Sequence, residues 1–345
     1  MTASLESLSQ QICAVIAAIT NGLLLHLIIN KSPANFGAYK YLMIYISVFE
    51  VAYAILDLII TPTLHTMDSV YLIIIYAHKT VLPKELLQIC SWLYCAAFGI
   101  SMAIFDVHFI FRYLVVSGNT SWTSKTPSKL IFWFVTPLFC GSIWMLVCGV
   151  FCGPNGTADE YLRFHSLRFR ANILNESIDN IGYLGYYFYP PSSSGSPSVN
   201  WWNFTGISFI TLLMFISSFT MFYFGRKCYQ QIQQLASHAT LHSDRFRSIQ
   251  LQLFVALVLQ TVIPLVLMHI PCSLITLTCF ADSSIEVLGR ILSVTVAMYP
   301  ALDPLPSMIV IREFRMAIVG WCWGKERVEA GAETDMRTVS TGVQS

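Results

Sequence analysis

The sequence predicts an all-α integral membrane protein: a seven-transmembrane helix bundle with its N-terminus outside the cell, its C-terminus in the cytoplasm and a short interfacial helix after the seventh span. Composition, apolar segments and the placement of basic residues support this prediction. The 345 residues are 55% hydrophobic and only 11% charged. A soluble protein of this length needs about 25% charged residues to cover its surface. The lipid bilayer is therefore the expected environment of most of this chain.

A helix that crosses the hydrocarbon core of a bilayer needs about 20 predominantly apolar residues. Seven segments of the chain meet this requirement: residues 9–30, 41–64, 87–114, 129–152, 201–225, 249–277 and 285–311. A further apolar stretch, residues 70–77, is too short to span and is expected to form an extracellular strand or an interfacial loop.

The seventh segment ends in a stretch that combines three prolines with a carboxylate, Tyr299-Pro300-Ala301-Leu302-Asp303-Pro304-Leu305-Pro306. Each proline removes a backbone donor and bends a helix, which lipid tolerates only where neighbouring helices satisfy the freed carbonyls. One interpretation is a Pro-rich loop outside the membrane. The other is a broken helix that faces the bundle, and the apolar residues 291–298 and 308–311 on both sides favour it.

The loops that follow the odd-numbered segments carry most of the Lys and Arg residues. Cytoplasmic loops of membrane proteins carry this excess, which places the N-terminus outside. The long loop of residues 153–200 then lies outside as a lid over the outer mouth of the bundle. It contains N-x-S/T sites at Asn155 and Asn175, which we expect to be glycosylated.

Beyond the seventh segment, one helical face carries Phe314, Ile318, Trp321 and Cys322, and basic residues flank it. This pattern is typical of an interfacial helix. Cys322 lies between two tryptophans and is a candidate palmitoylation site. We expect residues 1–325 to form the transmembrane domain with this helix, and residues 326–345 to form a disordered cytoplasmic tail.

Composition and motifs exclude several classes of function. The net charge of +1 provides no basic surface for nucleic acid, and the ten cysteines include no C-x-x-C spacing for zinc or an iron–sulfur cluster. His238 and His242 have the spacing of two metal ligands on a helix, but no further His motif accompanies them, so a solvated loop is expected. No nucleophile elbow or phosphate-binding loop occurs, so neither an enzyme activity nor a cofactor is predicted.

Four polar side chains lie at a similar depth within the predicted spans: Asn21, Glu50, Asp106 and Asp303. Intramembrane ionisable residues are functional candidates by default, and carboxylates in one layer cannot all be charged without partners. We expect these four side chains to meet and to form a switch, with Asp57 as a less definite member. The alternative is that each is hydrogen-bonded separately to the backbone and packs without a functional role.

Three prolines are expected to give this switch its mobility. Pro264 places a kink in the middle of the sixth span, which lets the cytoplasmic half of that helix swing as a rigid unit. Pro300 and Pro304 break the seventh span beside Asp303, so the backbone can shift there.

Two cysteines are predicted to lie near the outer face, because Cys90 opens the third span and Cys152 closes the fourth. The oxidising conditions of that compartment allow a disulfide between them. The alternatives are two separate buried thiols or a bridge to Cys279.

Six motifs follow one another along the chain: Gly37-x-Tyr39-Lys40-Tyr41-Leu42-Met43, His108-Phe109-x-x-Arg112-Tyr113, Gln252-Leu253-Phe254, Gln260-Thr261-x-Ile263-Pro264, Tyr299-Pro300-x-x-Asp303-Pro304 and Phe314-Arg315-Met316-Ala317. Together they resemble the nematode seven-transmembrane chemoreceptors of the Str and Srj classes, a group that includes odorant receptors. The resemblance covers residues 30–317. Other G-protein-coupled receptors carry an Asn/Asp-Pro motif at Asp303-Pro304 and an Asp/Glu-Arg-Tyr triplet at Arg112-Tyr113. Because Phe111 precedes Arg112 here, the usual local ionic lock is not expected.

The resemblance implies a G-protein-coupled receptor for olfaction and sensory transduction, placed in the plasma membrane of a sensory-neuron cilium. Its ligand is expected to be small, weakly polar and odorant-like. The predicted pocket lies in the outer half of the bundle and is lined by Phe98, Met102, Ser208, Thr211, Met268, His269, Thr295 and Met298. A heterotrimeric G protein is expected to bind at the cytoplasmic face, around Arg112, Tyr113, Arg226, Lys227, Arg245 and Arg247. The tail, once phosphorylated, is a candidate site for arrestin.

A ligand-gated ion channel or an ion-coupled transporter is the competing hypothesis, with the carboxylate layer as its permeation site. The predicted clustering of the acids in the inner half of the bundle argues against it. Current recorded in membranes that contain only this protein discriminates between the two hypotheses.

Overall fold

The computed structural model describes residues 2–33, 36–168, 180–191, 197–235 and 241–323. Asn175, His238 and the tail 326–345 lie outside these ranges, as do the side chains of His242 and Cys322. The predictions made for these residues therefore stay predictions.

The chain forms a seven-helix bundle with a small sheet at one end. Its main elements, in order, are α1 (Thr2–Lys31), α2 (Tyr39–Ile60), β1 (Thr63–Met67), β2 (Val70–Tyr76), α3 (Lys84–Val116), α4 (Pro127–Cys152), α5 (Gly156–Arg168), β3 (Ile181–Tyr187), α6 (Trp201–Gln234), α7 (Leu241–Pro264), α8 (Ile270–Phe280), α9 (Glu286–Leu302), α10 (Pro304–Val310) and α11 (Arg312–Trp323). Within the described residues, six helices are long and apolar enough to cross a membrane, and the bent pair of Glu286–Val310 and Arg312–Trp321 together meets the same requirement as a seventh. The predicted seven-helix bundle is confirmed, and the orientation of its termini stays a prediction.

Several helix boundaries follow directly from the local sequence. Pro127 occupies the first turn of α4, where its missing N–H has no helical partner to lose. Asn200 caps α6, since its side-chain oxygen accepts a hydrogen bond of 3.2 Å from the backbone N–H of Asn203. α2 ends at Thr61, whose φ of 39° is left-handed and stops the helix.

Prolines interrupt the two spans that the sequence predicted to bend. In the sixth span, Pro264 ends α7 and a π turn over Leu265–His269 leads into α8. In the seventh span, Asp303 separates α9 from α10, so this stretch is a broken helix and the alternative of a loop outside the membrane is wrong. The chain then bends by 97° into α11, which runs across the end of the bundle.

A three-stranded antiparallel sheet closes the end of the bundle at which α3 begins, called here the sheet end; the opposite end is called the Arg112 end. β2 lies in the middle, with Thr63 of β1 opposite Ile74 and Leu184 of β3 opposite Ile73. The predicted strand at 70–77 is thus confirmed. Its partner β3 lies within the loop of residues 153–200, where the sequence predicted only a lid.

The sheet is a buried layer between the bundle and α5, and all of β2 is buried. Alternate side chains point to opposite faces of a strand. Those of Tyr71, Ile73 and Ile75 therefore pack into the apolar core of the bundle, whereas those of Leu72 and Ile74 pack against α5. The sheet consequently seals this end of the bundle.

Two polar contacts fasten the sheet to its neighbours. Gln88 on α3 pairs with the backbone of Tyr183, donating to its carbonyl at 2.9 Å and accepting from its N–H at 3.2 Å. The Tyr183 hydroxyl donates to the carboxylate of Asp159 on α5 at 2.6 Å. Burial, together with this hydrogen bond, raises the pKa of Tyr183, so the hydroxyl keeps its proton and its donor role at neutral pH.

The disulfide predicted between Cys90 and Cys152 is not present, and neither is the alternative bridge to Cys279. All three side chains are free thiols. Cys152 is buried in the core at the sheet end, whereas Cys90 lies on a partly exposed face of α3 at its edge. Position near the same end of the bundle therefore did not bring these sulfur atoms together.

Candidate functional site

A buried polar group lies where α9 breaks, and Asn21 explains how the break is tolerated. Because Pro304 has no N–H, the carbonyl of Pro300 four residues earlier loses its helical partner. The side-chain amide of Asn21 on α1 replaces that partner, donating to the Pro300 carbonyl at 2.9 Å and to its own helix at Ala17 at 3.1 Å. One residue earlier, the Thr20 hydroxyl donates to the carbonyl of Ala301 at 3.1 Å.

Two carboxyl groups complete the centre of this group. Glu50 on α2 and Asp303 are 1% and 0% exposed, and their side chains lie next to each other. Glu50 also lies near Asn21. Two carboxyl groups buried this close together repel each other when both are charged, so an acid beside a carboxylate is the arrangement of lower energy.

Gln260 and Ser307 extend the group to two further helices. The Gln260 amide on α7 donates to Asp303 at 2.9 Å, and the Ser307 hydroxyl on α10 donates to the Gln260 carbonyl oxygen at 3.0 Å. The polar chain thus runs through α1, α2, α7 and both halves of the seventh span. The sequence analysis missed these two members, although a glutamine one turn before Pro264 in an apolar helix was a usable signal.

Asp106 does not join this polar chain, so the prediction of a four-residue layer was wrong at this position. Its carboxyl lies near Ser217 on α6 and Cys140 on α4. The number of residues between Asp106 and the nearest basic residue predicted only the depth of Asp106 along α3. It gave no information on which face of the helix carries the side chain.

Asp57 is connected to the polar chain through tyrosines rather than directly. Its carboxyl lies beside Tyr94. The ring of Tyr53 lies 5.7 Å from that of Tyr94 and 6.2 Å from that of Tyr299. Tyr299 in turn lies beside Glu50 and Asp303. A continuous buried column therefore joins the sheet end to the centre of the bundle.

The predicted ligand pocket is only partly assembled. Phe98 and His269 meet, with their ring centroids 5.0 Å apart, and Met102 and Met268 are buried in the same core. Thr295 and Met298 are half-buried on α9. Ser208 and Thr211 are exposed on the outer surface of α6, so assigning them to the pocket was wrong.

His269 has the chemistry of a ligand contact. Its Nδ1 lies 2.9 Å from the carbonyl of Pro264, which fixes the ring. Its Nε2 is buried and has no hydrogen-bond partner. A buried polar atom left in this state costs about 1–3 kcal/mol, so a bound molecule with a complementary group would recover that free energy.

A cavity of about 510 Å³ lies between α3, α6 and α7. Met102 and His269 line its upper end, nearer the sheet. Arg226 and Tyr229 line its lower end, towards the Arg112 end. Cavities of about 300–1,000 Å³ are the usual size for small-molecule sites.

The cleft predicted around Arg112 is closed in this structure. Arg112 is 1% exposed and donates to the main-chain carbonyl of Gln250 on α7 at 2.8 Å. Its guanidinium lies 5.0 Å from the centre of the Tyr39 ring, and the Tyr39 hydroxyl lies 3.2 Å from Nδ1 of His108. Arg112 therefore joins α3 to α7 instead of facing solvent.

The other residues predicted for the G-protein interface differ in exposure. Arg226, Lys227 and Arg245 are exposed. Tyr113 is half-buried against the ring of Phe224 at 5.6 Å, and Arg247 is half-buried as well. The basic surface is present at this end, but Arg112 is not part of it.

Comparison with known proteins decides the family. Residues 6–319 match the family model described as serpentine-type seven-transmembrane G-protein-coupled chemoreceptor Str. The chain belongs to this family. The resemblance drawn from the six motifs is thus confirmed.

Curated relatives agree with the family assignment, and a solved structure shares the fold. This Str chemoreceptor is 31% identical to the G-protein coupled receptor str-217 of Caenorhabditis elegans over 328 residues, which cover 93% of each chain. It is 30% identical to serpentine receptor class r-10 of the same organism, over 85% of this chain and 84% of that one. Squid rhodopsin has a similar fold, with a TM-score of 0.63 over 95% of this chain and 89% of its own, at 10% identity.

Metal ligation offers no second candidate site in the described part of the Str chemoreceptor. Within the described ranges, no three His, Cys, Asp or Glu side chains are grouped closely enough to hold a metal ion. The buried carboxyl pair and His269 are the titratable groups around which a function in the bundle is best argued.

Proposed function

We propose that this Str chemoreceptor binds a small, weakly polar, odorant-like molecule at the upper end of the cavity and signals through a heterotrimeric G protein at the Arg112 end. The sheet end would face the outside of the cell and the Arg112 end the cytoplasm. The exposed Arg226, Lys227 and Arg245 support this orientation, because cytoplasmic ends of membrane proteins are basic.

The unpartnered Nε2 of His269 is the observation that carries the proposal. It lies among the apolar side chains of Phe98, Met102 and Met268. One polar atom in an apolar surrounding suits a ligand that has a single hydrogen-bonding group on an apolar body. Methionine and aromatic side chains adapt to ligands of irregular shape.

Signal transfer would use the polar chain from Asn21 to Ser307. His269 lies in the π turn after Pro264, so a ligand that moves His269 also moves the backbone above α7. Gln260 lies one turn below that point and is bonded to Asp303. A shift of α7 would therefore exchange the partners of the carboxyl pair and open the contact between Arg112 and Gln250.

The family supports a sensory role. The family is one of chemoreceptors, and the relative str-217 is a G-protein coupled receptor. We accordingly propose a plasma-membrane location in a sensory-neuron cilium and glycosylation at Asn155, which lies on the sheet side at the start of α5. Palmitoylation of Cys322 and arrestin binding to the phosphorylated tail complete the proposal.

A ligand panel tested on cells that express the receptor, with a second-messenger readout, tests the proposed site. His269→Phe keeps a ring but removes both nitrogen atoms. We expect it to raise the half-maximal effective concentration of the ligand about tenfold, because one good hydrogen bond is lost. Met102→Ala and Met268→Ala should weaken the response as well. Ser208→Ala is the matched control, because its side chain is exposed and bonded to its own helix at Phe204.

An unchanged dose–response in all three variants at normal surface expression would place the ligand elsewhere. The ion channel or transporter is the second candidate, because a buried carboxyl pair can serve as a cation site. However, the cavity does not reach Glu50 or Asp303. Planar bilayers that contain only the purified receptor should show no ligand-evoked current, and a G-protein-independent current would favour the channel.

A further inference from the structure

The lower half of the cavity opens sideways, between α6 and α7. Its floor is the buried face of α3, with Phe105 and Phe109. Its rim carries outward-facing side chains: Phe222 on α6 is 68% exposed and Val258 on α7 is 36% exposed. In a membrane-spanning bundle, an opening with this rim meets lipid and not water.

The position of Arg226 fixes the depth of this opening. Trp201 and Trp202 are exposed at the start of α6, which is the usual place of an interfacial aromatic belt. Arg226 follows Trp202 by a length of helix of about 36 Å at 1.5 Å per residue. Since the hydrocarbon core is about 30 Å thick, Arg226 lies at headgroup depth near the Arg112 end. The cavity therefore runs from that headgroup layer into the hydrocarbon.

We propose that this groove binds an anionic phospholipid of the cytoplasmic leaflet, with one acyl chain in the lower cavity and the phosphate on Arg226. The assignment of the leaflet rests on the orientation proposed above. The floor and rim provide an almost entirely apolar surface for the acyl chain, from Phe222 to Phe254. The Arg226 guanidinium is exposed at the open end and has the planar donor geometry that matches a phosphate. The cytoplasmic leaflet is rich in anionic lipids.

The position of the acyl chain gives the lipid a regulatory role. The groove lies between α3 and the part of α7 below Pro264, the segment that carries Gln250 and Gln260. An acyl chain that fills the groove supports α7 in a position separated from α3 and α6. Loss of the lipid would let α7 move into the empty volume, so lipid occupancy biases the position of the helix that Arg112 holds.

Lipid retention by the purified full-length receptor tests the proposal, since it requires no chemosensory ligand. The receptor is reconstituted in nanodiscs of phosphatidylcholine with phosphatidylserine, extracted in mild detergent and examined by native mass spectrometry. We expect phosphatidylserine to be retained preferentially. Arg226→Gln should reduce that retention about tenfold. Lys227→Gln is the matched control, because Lys227 carries the same charge at the same depth but does not line the groove.

The acyl chain is tested separately. Val258→Trp fills the groove and should reduce retention, whereas Val255→Trp, on an exposed face of the same helix outside the groove, should not. A phosphatidylserine with a photoreactive acyl chain should label peptides of α3, α6 and α7 in the unmodified receptor, so the outcome does not depend on how well a variant folds.

Three results would overturn the proposal. Equal losses in Arg226→Gln and Lys227→Gln would mean diffuse attraction to the basic end. Equal retention of phosphatidylcholine and phosphatidylserine would mean a neutral lipid site. Photolabelling outside α3, α6 and α7 would place the acyl chain elsewhere. None of these results bears on the site at His269, which fails or stands by its own dose–response.

Discussion

The guanidinium of Arg112 donates a 2.8 Å hydrogen bond to the main-chain carbonyl of Gln250, and this bond joins α3 to α7 at the Arg112 end. A receptor with an acidic residue before this arginine can satisfy it within one helix. Here Phe111 occupies that position, so Arg112 takes its acceptor from another helix. Because the acceptor is backbone, the bond breaks only when α7 itself moves.

Removal of Arg112 should separate ligand binding from signalling. We expect Arg112→Ala to abolish the ligand-evoked second-messenger response while ligand affinity stays within about threefold, because the side chain lies far from His269. Arg312→Ala, which removes an exposed charge near the same end, should leave both quantities unchanged. Equal losses of binding and signalling in Arg112→Ala would contradict the assignment.

Two substitutions at Asp303 should give different results. Asp303→Asn retains groups that can bond Gln260 and Glu50, so we expect normal surface delivery and a changed basal activity. Asp303→Leu leaves two buried polar groups without partners, at about 1–3 kcal/mol each, and should reduce surface delivery. Surface labelling and basal second-messenger levels measure the two effects. Normal delivery and signalling in Asp303→Leu would mean that the polar chain is incidental packing.

Asn21 should be required for the stability of the broken helix. Asn21→Leu removes the donor to the Pro300 carbonyl, and we expect it to lower the free energy of unfolding by about 1–3 kcal/mol. Asn30→Leu is a suitable control, because Asn30 is exposed and bonded only within its own helix. Thermal unfolding of the purified variants gives the comparison. Equal melting temperatures would show that another group, such as Thr20, satisfies the carbonyl.

The sheet should depend on Gln88. Gln88→Ala removes both hydrogen bonds to the backbone of Tyr183, so we expect faster amide hydrogen exchange throughout β3, with little change in the spans. Gln230→Ala, on an exposed position of α6, is the control. Unchanged exchange in β3 would mean that strand pairing alone holds the lid.

The sequence predicted the parts of the fold that depend on local pattern. Apolar length located the spans, and the prolines around Asp303 located the break, since both effects act within a few residues. β3 was not predicted because its pairing with β2 joins Tyr183 to Ile74, which are far apart in the chain. Long-range pairing leaves no periodic signal beyond the strand itself.

The candidate site was predicted in part, for a related reason. Asn21, Glu50 and Asp303 lie near one another, as expected for polar residues of apolar spans, which turn towards each other; their role as a switch stays a prediction. Residue counting assigned Asp106 the same depth in the membrane, but its side chain lies on the face of α3 that meets α6. Depth alone does not determine the direction in which a side chain points. Burial of Arg112 depends on how α7 packs at the Arg112 end, which its own helix does not encode.

The sheet also constrains how the receptor is made. β1 and β2 are synthesised about a hundred residues before β3, which is about 5–20 s at ordinary rates of translation. During that interval α3 and α4 are inserted, while the apolar β2 has a free hydrogen-bonding edge and no cover from α5. An unpaired edge of this kind is where misassembly begins. During synthesis of this receptor, the β1–β2 hairpin therefore exists for several seconds without the strand and the helix that later cover it.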